Sequence, residues 1–75
     1  MSTLYEVSSL IALVMNMPNA FSQVIGILSK GTTIYVISIS GNYAYFKYNN
    51  TDAYVKKNNL KILNTEPIEV KGSVI

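Results

Sequence analysis

The chain is 75 residues long with a net charge of +2, and it contains no histidine, cysteine, tryptophan or arginine. Disulfides and thiolate metal sites are thereby excluded, the commonest zinc ligand is missing, and the usual acid–base and thiol nucleophiles of enzymes are absent. Hydrophobic residues make up 49% and charged residues only 13%, against a usual charged share of about 25%; a domain that buries only about 60% of its unfolded surface then exposes apolar groups and is open to stabilisation by self-association.

Residues 3–7 read as a first short strand, and residues 10–15 as an apolar run of strand length. Residues 16–20 form a loop, because Pro18 and the flanking asparagines punctuate regular structure. Residues 24–28 are the next strand, where Gly26 marks a bulge or a close backbone approach. Ser29-Lys30-Gly31 turns the chain into residues 32–40, the clearest strand by β-branched content. Ser40-Gly41-Asn42 turns it again. In residues 43–48, Tyr43, Tyr45 and Lys47 alternate with Ala44, Phe46 and Tyr48, and successive side chains of a strand point to opposite faces. Asn49-Asn50-Thr51-Asp52 is a hairpin turn built on residues that tolerate positive φ. That turn also accounts for the N-x-[ST] pattern at Asn49 without glycosylation. Ala53-Tyr54-Val55 begins the return strand, residues 56–59 are a polar helix-like turn, and residues 60–63 are a last strand. The expected organisation is one all-β domain over 1–63, a small bent barrel of about five or six short strands, with 64–75 as a tail or an extra edge strand.

Val14, Ile25, Ile34, Val36, Phe46 and Val55 read as core, with the ring of Tyr48 on the Phe46 face beside them. Tyr43, Tyr45 and Tyr54 are left facing outward, where rings serve a ligand or another chain.

Several function classes drop out. Residues 7–29 carry no charge, but their longest purely apolar run is Leu10 to Met15, far short of the roughly 18 residues of a spanning helix. The first residues hold Glu6 and no lysine, unlike the positive start of a signal peptide. The four acids are Glu6, Asp52, Glu66 and Glu69, and nothing in their placement makes the paired carboxylates of a hydrolase. A glycine-rich phosphate loop is missing. The chain reads as a non-enzyme that needs no cofactor or metal. Its six lysines are scattered, which disfavours nucleic acid as a partner, although they give mild attraction to a polyanion; Lys56 and Lys57 are the pair placed to meet phosphates, or are simply solvated.

In order along the chain stand Val14-Met15-Asn16-Met17-Pro18, Val24-Ile25-Gly26, Lys30-Gly31-Thr32, the turn at Gly41-Asn42, and Tyr48-Asn49 with Tyr54-Val55. This order and spacing resembles a bacterial SH3 (SH3b) domain over about residues 10–63, without a gap from Val14 to Val55. The family line runs from an Asn-Val-Arg-x-Gly-Pro loop to Val-Ile-Gly, a Lys-Gly-Thr turn, Gly-Trp-Tyr-Lys-Val and Gly-Tyr-Val. The resemblance implies an SH3-like barrel acting as a cell-wall-binding module, of the kind found in phage endolysins and other peptidoglycan hydrolases. Such modules target a lysin or autolysin to peptidoglycan and hold its peptide or cross-bridge parts in a shallow groove lined by aromatic and amide side chains. On this sequence the implied ligand residues are Tyr43, at the family's Trp position, with Tyr54 and Tyr45, and Asn16, Asn19 and Phe21 from the loop that borders the groove. The asparagines alternatively cap turns within that loop.

The departures from the family line are mostly polar to apolar. Met15 stands for Arg, Met17 for Gly and Leu13 for Asn, the last removing a polar groove contact. Ile27, Tyr35, Ile39 and Tyr45 replace residues that are commonly polar. Met15, Ile27, Tyr35 and Ile39 are therefore expected at an interface with another copy of the chain. The expected partners are peptidoglycan or an attached wall polymer, a sister subunit and a catalytic lysin domain. The chain starts with Met and shows no leader, which fits an excised piece or a separately translated subunit acting at the bacterial wall, a phage lysis protein included. Two other readings stay open: a structural oligomerisation subunit, and a small nucleic-acid-binding barrel whose lysines interleave with aromatics. A proline-peptide binder of the eukaryotic kind is disfavoured by the missing acidic loop and groove Trp.

Overall fold

The computed structural model describes residues 2–63. The expected tail or edge strand at 64–75, with Glu66 and Glu69, lies outside the described residues. The chain forms β1 (Thr3–Val7), β2 (Ile11–Met15), β3 (Val24–Ser29), β4 (Thr33–Val36), β5 (Ser38–Ser40), β6 (Tyr43–Tyr48), β7 (Thr51–Lys56) and, after a 3-10 turn at Lys57–Asn59, β8 (Leu60–Ile62). The strands make two antiparallel sheets, one ordered β4-β1-β8 and the other β3-β2-β7-β6-β5. The fold is all-β, as expected. Among the described residues no helix is long and apolar enough to cross a membrane.

Alternation decides which side of each strand is buried. Ala12 and Val14 of β2, Ile34 and Val36 of β4, Ala44 and Phe46 of β6, and Ala53 and Val55 of β7 are buried, and Val7 and Leu28 complete the core. Their strand neighbours Leu13, Tyr35, Tyr45 and Tyr54 fall on the other side, as a period of two requires. The partly buried Tyr48 packs on this core, with its ring edge-on to Phe46 at 6.3 Å.

Eight strands replace the expected five or six, and one of the additions arises because residues 32–40 are not one strand. β4 pairs with β1 while β5 pairs with β6, so the chain leaves one sheet for the other at Ile37. The Ile37 N–H donates to the Tyr45 carbonyl at 2.8 Å across that corner. Strands that switch sheets at a bend are how a small sandwich or barrel turns its corners, and β-branched composition is blind to such a bend. The hairpin between β6 and β7 is tighter than expected. Asn49 and Asn50 take φ of 51° and 65°, the two positive values that a two-residue type I′ turn needs, and Thr51 and Asp52 already belong to β7.

Ile25 is a correction. It was expected in the core and is 39% exposed. Val14 pairs with Gly26 but Met15 pairs with Val24, so the register slips by one residue there. Ile25 is the extra residue of a β-bulge; it faces outward with Ile27, two residues on, because Leu28 and Gly26 alternate inward, and the slip turns Val24 outward as well. Gly26 takes the inward place, and the Tyr48 ring fills the space above it. A Cβ built on Gly26 would lie 2.7 Å from Tyr48 Cε2, closer than carbon atoms approach without a shift of backbone or ring. β3 and β6 are not neighbours in their sheet, so this contact spans the interior where the sheet curls over itself.

The expected effect of Gly26→Ala is a loss of about 1–3 kcal/mol of stability through overpacking. Urea denaturation checks it. In a Tyr48→Ala background the same change should cost clearly less, because the two sites share one space. Simple additivity would contradict the contact.

Candidate functional site

The candidate site lies on the outer face of the five-stranded sheet. Antiparallel pairing sets Met15 opposite Tyr54 and Tyr54 opposite Tyr45. One step along, Lys56 faces Tyr43. Directly opposed residues share a face, so a sulfur, three rings and a lysine stand together on the side away from the core. The loop between β2 and β3 rises beside them. It is closed at its base by Asn16 N–H to Gln23 O at 3.0 Å, and across its tip by Ser22 N–H to Asn19 O at 3.2 Å.

Between this loop and the start of β6 lies a groove of about 300 Å³, lined by Leu13, Met15, Asn19, Ala20, Ser22, Tyr43, Lys56 and Asn59. That volume is at the small end of ligand sites. Its floor is aliphatic and thioether, one wall is the Tyr43 ring, and the rim supplies amides and a hydroxyl. Lys56 is the one charged group among the described residues that line it. The groove can therefore take a short chain with apolar parts and amides, and it favours an anionic group near Lys56 over a cationic one.

A second hollow, larger and more open at about 540 Å³, lies over Ile34 and Phe46 with Tyr35, Ile37 and Lys47 at its rim. Its one charged group, Lys47, is already paired with Asp52. The smaller groove, with polar groups from Asn19, Ser22, Tyr43, Lys56 and Asn59, is the candidate site.

Neither the models of known protein families nor the curated proteins give a match to this chain.

The structure gathers some of the sequence-derived residues and separates others. Tyr43 and Asn19 line the groove, and so does Met15, which was expected in a subunit interface. Tyr45 and Tyr54 stand outside the lining as a tilted pair with ring centroids 5.4 Å apart. Asn16 and Asn19 both cap turns in the loop. Asn16 Oδ1 accepts from Gln23 N–H and Asn19 Oδ1 from Phe21 N–H, each at 2.8 Å. Phe21 projects from the loop, 85% exposed, and is not in the lining. The four expected interface residues do not make one patch. Met15 and Ile27 lie on the outer face of the five-stranded sheet, Tyr35 is on the other sheet, and Ile39 sits opposite buried Ala44 on the edge strand β5. Sequence reading missed Ala20 and Ser22, which flank the expected loop residues, and the distant Asn59. Asn59 comes to the rim because Ser9 Oγ donates to its Oδ1 at 2.8 Å and its carbonyl accepts from Ser8 N–H at 2.9 Å. These contacts join residues fifty or more apart in the chain, and no local pattern signals them.

Asp52 organises the aromatic pair. Its carboxylate accepts from the Tyr45 hydroxyl at 2.7 Å and bonds the Lys47 ammonium. The hydrogen bond from Lys47, then that from Tyr45, holds the Asp52 carboxyl below its ordinary value. The same hydrogen bonds raise Tyr45 and Lys47 above theirs. The depressed carboxyl stabilises the fold above its unfolded value of 3.8, and that contribution is lost as pH falls through the lower folded value. The raised phenol works in the opposite sense: its contribution is present below 10.0 and is lost as pH rises through the higher folded value.

NMR titration of the Asp52 carboxyl should give a midpoint below that of a free aspartate. The Tyr45 ring signals should move in the same acid step. Asp52→Asn should abolish the step at Tyr45; a Tyr45 signal that still titrates in acid would contradict the pairing.

Proposed function

We propose that the chain is a non-catalytic module that binds bacterial cell wall, with the groove beside Tyr43 as its ligand site. The observation that carries the reading is one coincidence of place. The SH3b-like motif order puts a ligand-contacting ring at Tyr43 and amides in the loop after β2, and the groove forms where that ring and Asn19 meet. Its apolar floor and amide rim suit the peptide or cross-bridge part of peptidoglycan, and Lys56 suits a carboxylate or phosphate of the wall. Bound this way, the module raises the local concentration of a lysin on its substrate by tethering, and several copies on one polymer add avidity.

A structural oligomerisation subunit is the second reading. Ile11, Val24 and Ile27 are each more than half exposed, and such residues favour contact with another chain. The two readings are compatible. Nucleic acid is less favoured: Lys47 and Lys61 face Asp52 and Glu6 in ion pairs, which leaves fewer lysines for a phosphate backbone.

A fluorescent fusion should decorate purified sacculi, whole or stripped of teichoic acid, from a Gram-positive host. Tyr43→Ala should weaken that binding about tenfold, the effect of losing ~1.4 kcal/mol. Tyr35→Ala, on the other sheet, should leave it unchanged. Binding unaffected by Tyr43→Ala would contradict the assignment of the groove.

A further inference from the structure

We propose that β3 is a self-docking edge: two copies of this chain pair their β3 strands antiparallel about a twofold axis at Ile27. Two five-stranded sheets then become one continuous sheet. The proposal deepens the self-association part of the reading above, and it stands whatever ligand fills the groove.

Among the described residues β3 is an outer strand of its sheet, and at six residues it is longer than the other outer strands β4, β5 and β8. Natural edges are guarded by brevity, lysine, proline or bulges. β5 and β8 are three residues long, and β8 carries Lys61. β3 reads Val-Ile-Gly-Ile-Leu-Ser, with neither charge nor proline. Its one guard is the bulge at Ile25, which leaves residues 26–29 regular.

The phase of the ladder shows which groups are free. The Lys30 N–H donates to Leu10 O at 3.0 Å, one step beyond the register Ile11↔Ser29, Ala12↔Leu28, Leu13↔Ile27. Bonded and non-bonded pairs alternate in an antiparallel ladder. Leu28 and Gly26 therefore turn their N–H and C=O toward β2, and Ile27 and Ser29 turn theirs away from it; the Ser29 carbonyl already accepts from Thr32 N–H at 3.1 Å, so Ile27 is the residue with both groups turned outward. In a pairing centred on Ile27, that residue exchanges two hydrogen bonds with its own copy. Ser29 then comes opposite the partner's Ile25.

Charge selects a second copy as the occupant. No residue from 7 to 29 is charged. Beside the edge lie Ile11, Leu13, Val24, Ile25 and Ile27, between 39% and 59% exposed. Two such strips meet without like-charge contact, and a self-complementary patch is what an isologous dimer needs. A charged partner finds no group here to pair with. Pairing through one short strand and five side chains gives a reversible, concentration-dependent dimer. The twofold of an antiparallel strand pair is normal to the sheet, so both grooves face the same side, and one wall polymer can engage both.

Sedimentation velocity on the full chain from about 10 μM to about 1 mM should show a monomer–dimer equilibrium. Ile27→Lys and Ile27→Glu should each weaken dimerisation at least about tenfold, and mixing the two should restore it, because the side chains face each other across the axis. Tyr35→Lys should leave it intact. In the wild type, the Ile27 amide should become more protected from hydrogen exchange as concentration rises, a readout that needs no variant. A wild-type chain monomeric throughout, a mixture that stays monomeric, or a dimer lost on truncation after Leu63 but kept in Ile27→Lys would each overturn the proposal.

Discussion

The contact between Gly26 and the Tyr48 ring sets the shape on which the rest depends. It joins β3 to β6 across the interior, although two strands lie between them in the sheet. A flat five-stranded sheet would leave the inner faces of its outer strands in water. Curling lets one aromatic ring cover the glycine, and it encloses the small core of Val, Ala, Ile, Leu and Phe side chains. On the other side of the sheet, the loop between β2 and β3 folds back over the outer face, and a groove opens between the loop and Tyr43.

The aromatic residues divide their work across this curled sheet. Phe46 and Tyr48 look inward, edge to face, while Tyr45 and Tyr54 pair on the outside. Asp52 fixes Tyr45 through its hydroxyl and holds Lys47 as well, so that end of the outer face is already satisfied within the chain. At the other end Tyr43 borders the groove, with Lys56 across the ladder from it. The aliphatic strip near β3 lies farther along the same face. It offers no hydrogen-bonding side chains and suits another protein surface better than a sugar or a peptide.

Much of the fold is legible in the sequence because its strands obey a period of two. Val14, Ile34, Val36, Phe46 and Val55 are buried as alternation requires, and Gly26 is the close approach that a glycine within a strand marks. Three features escape that reasoning. The corner at Ile37 lies inside a run of β-branched residues with no proline or glycine to announce it. Ile25 lies outward with Ile27, two residues on, because Leu28 and Gly26 take the inward places, and its apolar side chain by itself does not reveal its face. Asn59 joins the groove through bonds to Ser8 and Ser9, which only the closed fold brings near. The site was legible to a similar depth. Tyr43 and Asn19 reach the groove, whereas Phe21 points away from it, and Tyr35 and Ile39 are scattered because equal apolarity does not imply a shared face.

The central claim is that the groove beside Tyr43 takes a fragment of cell wall. NMR titration of the isotope-labelled chain with soluble peptidoglycan fragments tests it most directly. The account predicts saturable shifts at Asn19, Tyr43, Lys56 and Asn59, with the hollow around Tyr35 and Ile37 unmoved. Shifts confined to that hollow, or a spectrum that stays unchanged at saturating fragment, would contradict it.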